Sequence, residues 1–232
     1  MVLVGYDAPT GKLSADARLA LDNMWALQLK SGEARGAWSW LQFHNSPWEG
    51  DSQYFGAALA ALVVGTAPGN YRSSPQIREG MTLLREYLAK ERDSQILNNR
   101  LILLWASTKV PHLLTHSQKQ AIIQEALGKQ QSDGGFSLSS FVGGWKRHDG
   151  TPLVTKSDGD ATGVVTYVLQ QAGVKGDRVN RGLDWLRSNQ DKTDGRWMGY
   201  SLNKEKPNSP ETGRFMSDAA TAYAVLALTH AK

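Results

Sequence analysis

The sequence predicts an all-α fold, and three observations carry that prediction. Strand-like alternation of apolar and polar residues is absent along the 232 residues. The ends of the predicted helices carry capping and breaking residues. A pattern of glutamine, glycine and aromatic residue returns along the chain, each time after a helix: Gln190 with Gly195-Arg196-Trp197, Gln131 with Gly134-Gly135-Phe136, and Gln28 with Gly36-Ala37-Trp38.

Eight helices follow in order. The first, over 14–30, is preceded by Ser14, an N-cap residue type. The second, 52–65, is rich in small residues (Gly56, Ala57, Ala58) and closes on Gly65. The third, 75–91, opens on Pro75, which fits a first helical position. Helices over 94–108 and 116–131 come next, and the apolar run from Leu101 to Ala106 marks the former as buried. The sixth, 160–173, ends on Gly173. The seventh, 178–190, places Trp185 and Leu186 on a buried face and Gln190 at its C-terminal end. The eighth, 218–230, is again built of small residues, Ala219 to Leu226. Small side chains let neighbouring helices approach closely. Three long irregular segments, 31–51, 132–158 and 191–217, each follow a glutamine and are expected to gather on one rim.

The recurring positions are 28, 88, 131 and 190, the second belonging to a copy from Glu79-Gly80 to Leu88 that lacks glutamine and tryptophan. These steps suit a helical hairpin with a loop of variable length. They divide a single expected domain, 1–232, into repeats at roughly 14–65, 75–108, 116–173 and 178–230.

Composition excludes several classes. Zero cysteines rule out disulfides and thiolate metal sites. A net charge of +4 is spread along the chain and forms no basic stripe, so nucleic acid is not an expected partner. No apolar run approaches the roughly 20 residues that span a bilayer, and the N-terminus lacks the pattern of a secretory signal. The five histidines, at 44, 112, 116, 148 and 230, form no ligand motif, and neither a metal nor a cofactor is expected.

Arg181-Gly182, Trp185-Leu186, Gln190 and Gly195-Arg196-Trp197 resemble the QW motif of the terpenoid cyclases. With the other copies, the chain resembles the α/α toroids of terpenoid cyclases and protein prenyltransferases, closest to bacterial squalene–hopene-cyclase-like proteins with prenyltransferase/squalene oxidase repeats. The resemblance implies a toroid, or an open arc, of about four hairpins where the family has about six. An incomplete ring implies self-association or a partner. It also implies a hydrophobic isoprenoid ligand and a cytoplasmic protein, peripheral at the membrane.

In that family a class II cyclase protonates an alkene or epoxide with the middle aspartate of an Asp-x-Asp-Asp motif. The matching residues here are Asp158-Gly159-Asp160-Ala161. Asp160 is the expected acid and Asp158 its neighbouring carboxylate, and Ala161 replaces the last aspartate. Such an acid needs burial and nearby carboxylates to stay protonated. The residues also admit a plainer account. Aligning the small-residue helices sets Asp158 beside Asp51 and Ser217, all N-cap types, whereas Asp160 falls opposite Gln53 and Ala219, where an acidic residue in the first turn complements the helix dipole.

Further candidates for substrate binding are Trp145, Arg147 and His148, on a loop upstream of the aspartates, and Trp48 with Glu49 on the first rim segment. Tyr54, Phe55, Tyr167 and Tyr223 would line a cavity and steady cations through their π faces, or else form core. Three functions fit: a protonation-initiated cyclase (an isomerase) using Asp160; a toroid module that binds without catalysis; and a carbohydrate-active helical barrel pairing Asp160 with Glu49 or Asp51.

Overall fold

A computed structural model describes residues 1–41, 53–204 and 210–231. Among them are nine α-helices and no strand: α1 (Val2–Asp7), α2 (Ala15–Ala26), α3 (Gln53–Thr66), α4 (Arg78–Glu91), α5 (Leu97–Lys109), α6 (His116–Leu127), α7 (Gly159–Gln171), α8 (Asp177–Ser188) and α9 (Pro210–His230). The chain is all-α. The helix α1 had no expected counterpart, and α9 begins eight residues before the expected 218. The expected helix over 116–131 stops at Leu127, ahead of Gly128. Two compact units result: one holds α1–α4 and most of α5, the other the start of α5, α6 from Lys119, and α7–α9.

In the first unit, Ser14 caps α2 by accepting the Ala17 N–H (3.2 Å). Its own N–H and hydroxyl both donate to Asp7 Oδ2, at 2.7 Å each, which ties α1 to the start of α2. The small face of α3 admits close neighbours. A Cβ at Gly56 would lie 2.4 Å from the Trp40 ring, so only glycine allows that ring to come so close. Helix α4 is amphipathic and buries Met81, Leu83, Leu84, Tyr87 and Leu88.

In the second unit, α7 buries every residue from Gly159 to Thr166. A Cβ at Gly163 would come within 2.7 Å of the Ala224 nitrogen, so backbone meets backbone where α7 and α9 cross. Gly182 of α8 rests in the same way on Thr166 of α7, 2.4 Å from its hydroxyl if a Cβ were added. On α9 the buried residues Met216, Ala220, Ala224 and Ala227 follow the three- and four-residue spacing of one helix face.

Three turns share one construction. After α2, Gln28 Nε2 donates to Gly36 O (3.0 Å). After α6, Gln130 Nε2 donates to Gly134 O (2.9 Å), and after α8, Gln190 Nε2 donates to Gly195 O (2.8 Å). In each, the residue following the glutamine exchanges two backbone hydrogen bonds with the glycine and its successor: Leu29 with Gly36 and Ala37, Gln131 with Gly134 and Gly135, Asp191 with Gly195 and Arg196. All three glycines have positive φ (98°, 91° and 75°), which a side chain would oppose. The aromatic two residues on then folds back. The Trp38 indole donates to Met24 O and the Trp197 indole to Leu186 O, each four residues before its glutamine. Phe136 sits in the middle turn, fully buried and without a donor to offer. The glutamine of that turn is Gln130, one residue before the expected Gln131, whose amide instead donates to Thr155 O (2.6 Å).

Candidate functional site

Asp158 and Asp160 open α7 and are both buried, but their surroundings differ. Asp158 Oδ1 accepts the Ala161 N–H (2.8 Å) and its Oδ2 accepts the Leu138 N–H (2.7 Å). Its own N–H donates to Phe136 O (2.9 Å). One carboxylate thus caps the helix and fixes the loop ahead of it. Burial pushes Asp158 up to about 6, and the amide donors at Leu138, Ala161 and Asp160 oppose that rise.

Asp160, two residues on, is 3% exposed, and its Oδ2 is buried with no hydrogen-bond partner. Burial first, then the Asp158 charge, raises it to about 7. The two carboxyls compete for a proton, and the donors decide the outcome. Asp158 has amide N–H groups to stabilise its charge and is raised less, so it is the readier of the two to ionise. The Asp160 charge acts in turn on Tyr223 of α9, whose phenol is pushed up to about 12 by burial and, second, by Asp160. The neighbouring Gly159 is held against Trp197, where a Cβ would lie 2.4 Å from the tryptophan Cβ. The close crossing of α7 and α9 therefore creates the dry surroundings of this acid.

The loop ahead of α7 carries three other candidates. The Trp145 indole donates to Leu202 O (3.1 Å) and its ring meets His148 edge-on at 5.5 Å. Arg147 is buried. Its guanidinium donates to Ser201 O (2.7 Å) and to Pro152 O, so this cation braces the loop from within. Tyr167 lies two turns after Asp160 on α7, with its ring 5.8 Å from His230.

Tyr54 and Phe55 belong to the first unit. Tyr54 is buried, donates its hydroxyl to Leu88 O (3.0 Å) and packs 6.0 Å from Tyr87. Phe55 meets Trp40 edge-on at 6.2 Å. Trp48, Glu49 and Asp51 lie outside the described residues. Among the described residues no group of three or more His, Asp or Glu side chains is placed to hold a metal ion.

The sequence reading did not anticipate two residues that build this site. Thr162 accepts the Phe136 N–H (2.9 Å) on its hydroxyl, and Thr221 does the same for Trp197 (3.2 Å). Each stands four residues after an aligned N-cap residue type, Thr162 after Asp158 and Thr221 after Ser217, and that shared spacing was the available signal. Asp133 also braces the region, accepting from the Trp185 indole (3.0 Å) and the Ser157 hydroxyl (2.9 Å). Comparison with protein-family models, curated proteins and solved structures finds no significant match to this chain.

Proposed function

We propose that the chain is a terpenoid-cyclase-like protein on an α/α-toroid plan, in which Asp160 protonates an apolar polyisoprenoid and so starts its cyclisation. The observation that carries this reading is the buried, unpartnered Oδ2 of Asp160 beside an Asp158 whose charge is held by backbone amides. A carboxyl raised to about 7 is protonated in about half of the molecules in a neutral medium, and its Oδ2 has no donor to stabilise the anion. In the reaction the Asp160 O–H bond breaks as the proton joins a terminal alkene carbon. The electron pair of the alkene forms the new C–H bond, and a carbocation is left for ring closure. Loss of a proton from the final cation would complete an isomerisation. The three glutamine turns agree with the same resemblance, and a cytoplasmic or membrane-peripheral setting fits a water-insoluble substrate. No helix of the described residues is long and apolar enough to cross a membrane.

A second reading, a toroid module that binds without catalysing, draws on Asp158, whose two carboxylate oxygens are committed to backbone amides. Incubating the purified protein with squalene and with geranylgeranyl diphosphate, read by mass spectrometry, separates the two. Cyclised product from wild type and none from a folded Asp160→Asn variant supports the acid. No product from folded wild type with either substrate removes the cyclase reading, and quenching of tryptophan fluorescence by the same isoprenoids then tests binding alone.

A further inference from the structure

The three glutamine turns are built alike, yet only two of them are covered. Gln28 Nε2 makes a second hydrogen bond, to Gly80 O in the first turn of α4 (2.9 Å). Gln130 Nε2 does likewise with Arg178 O in the first turn of α8 (2.7 Å). The same helices press on the turn glycines. A Cβ at Gly36 would lie 2.1 Å from Leu83 O, and one at Gly134 would lie 2.8 Å from Arg181 O. Gln190 donates only to Gly195 O, and a Cβ at Gly195 would meet nothing nearer than the Gln190 amide at 3.6 Å. Among the described residues, no helix occupies the third seat.

Helix α9 leaves the matching helix face open. Thr162 and Thr221 receive equivalent backbone N–H groups, and this sets α7 against α9 residue by residue. Thr166, on which Gly182 of α8 rests, then corresponds to Val225. Val225 is 46% exposed, Leu226 39% and Phe215 65%. The face by which α7 holds α8 is therefore repeated on α9 without a helix against it.

The complementary surface lies on the same chain, at α2. Gly182 stands eight residues before Gln190, and eight residues before Gln28 stands Ala20, which is exposed. Where Gly182 rests on Thr166, Ala20 borders an apolar groove of about 480 Å³ that Leu21, Met24, Leu27 and Leu59 also line. Arg178 and Arg181 correspond by the same count to Asp16 and Leu19, both exposed, Leu19 by 60%.

We infer that the occupant is a second copy of this chain, docked head to tail: α9 of one copy enters the groove beside α2 of the next, with Val225 against Ala20 and the Gln190 amide donating to the Asp16 carbonyl. The contact continues, between copies, the interface that α7 and α8 already make within one chain. It joins two different surfaces, so it yields rings or growing chains rather than a two-fold dimer. It is independent of the role of Asp160.

Sedimentation velocity of the full chain over a wide concentration range tests this, with Ala20→Glu and Val225→Glu beside wild type and folding checked by circular dichroism. Wild type is expected to assemble, and each variant alone to associate at least about tenfold more weakly. An equimolar mixture is expected to form a 1:1 pair that grows no further, because Val225→Glu keeps the α2 groove and Ala20→Glu keeps the α9 face. Leu19→Lys and Leu226→Lys provide a second pair should either first variant misfold. A wild type that stays monomeric, variants that assemble like wild type, or a mixture that stays monomeric would each overturn the inference.

Discussion

Gln130 and Arg178 hold each other by two opposed hydrogen bonds: Gln130 Nε2 donates to the Arg178 carbonyl at 2.7 Å, and Arg178 Nε donates to Gln130 Oε1 at 2.6 Å. Since Nε2 also donates to Gly134 O, one side chain joins the turn after α6 to the start of α8. Gln130→Ala removes all three bonds at a partly exposed site and is expected to cost about 2 kcal/mol. Gln131→Ala removes only the tie to Thr155 O and should cost about 1 kcal/mol or less. Urea denaturation of the two variants checks the order. A larger loss at Gln131 would contradict the assignment of Gln130 to the turn.

Gly36 and Gly11 both have positive φ, 98° and 75°, but only Gly36 is crowded. A Cβ there would sit 2.1 Å from Leu83 O, whereas Gly11 has nothing within 4 Å. Gly11→Ala should therefore cost about 1 kcal/mol of backbone strain. Gly36→Ala adds the displacement of α4 and should cost about 3 kcal/mol or more, measurable as a lowered melting temperature.

Asp160 links stability to pH. Its value rises from 3.8 to about 7 on folding, so at intermediate pH the folded chain keeps a proton that the unfolded chain has released. Folding is then favoured by protons. The Asp160 contribution is intact below about pH 4, declines as pH rises to 7, and levels off above. Asp160→Asn should flatten this decline, so that the variant gains on wild type by a few kcal/mol between pH 4 and pH 8. Chemical denaturation at several pH values gives the difference, and an unchanged slope would show that Asp160 is ionised in the native protein.

Local signals in the sequence located most helices, while features that depend on distant residues were hidden. Ser14 and Asp158 are readable as caps because a cap needs only its own next turn. The start of α9 was missed because Pro210 precedes any apolar periodicity, and α1 because six residues carry no cap or repeat. Gln130 and Gln131 are adjacent and chemically identical, so only the carbonyls they reach tell them apart. The candidate acid could be named only through the resemblance of Asp158-Gly159-Asp160-Ala161 to a family motif. Its unpartnered oxygen could not, since that depends on α9 closing over α7 at Gly163, more than fifty residues away in sequence.

The glutamine turns close with nearly the same bond, 2.8 to 3.0 Å, around excursions of different length: Gln28 and Gly36 are eight positions apart, Gln130 and Gly134 four, Gln190 and Gly195 five. What the excursion contains is thus independent of what locks it. The longest one exposes Ser31 and Gly32, with nothing within 4 Å of a Cβ at Gly32. An epitope tag or fluorophore-bearing peptide spliced between these two residues would be displayed outward while Gln28 still clasps Gly36. Doubling the loop would cost only about 0.6 kcal/mol of closure entropy. The first turn is thereby a ready attachment point for labels.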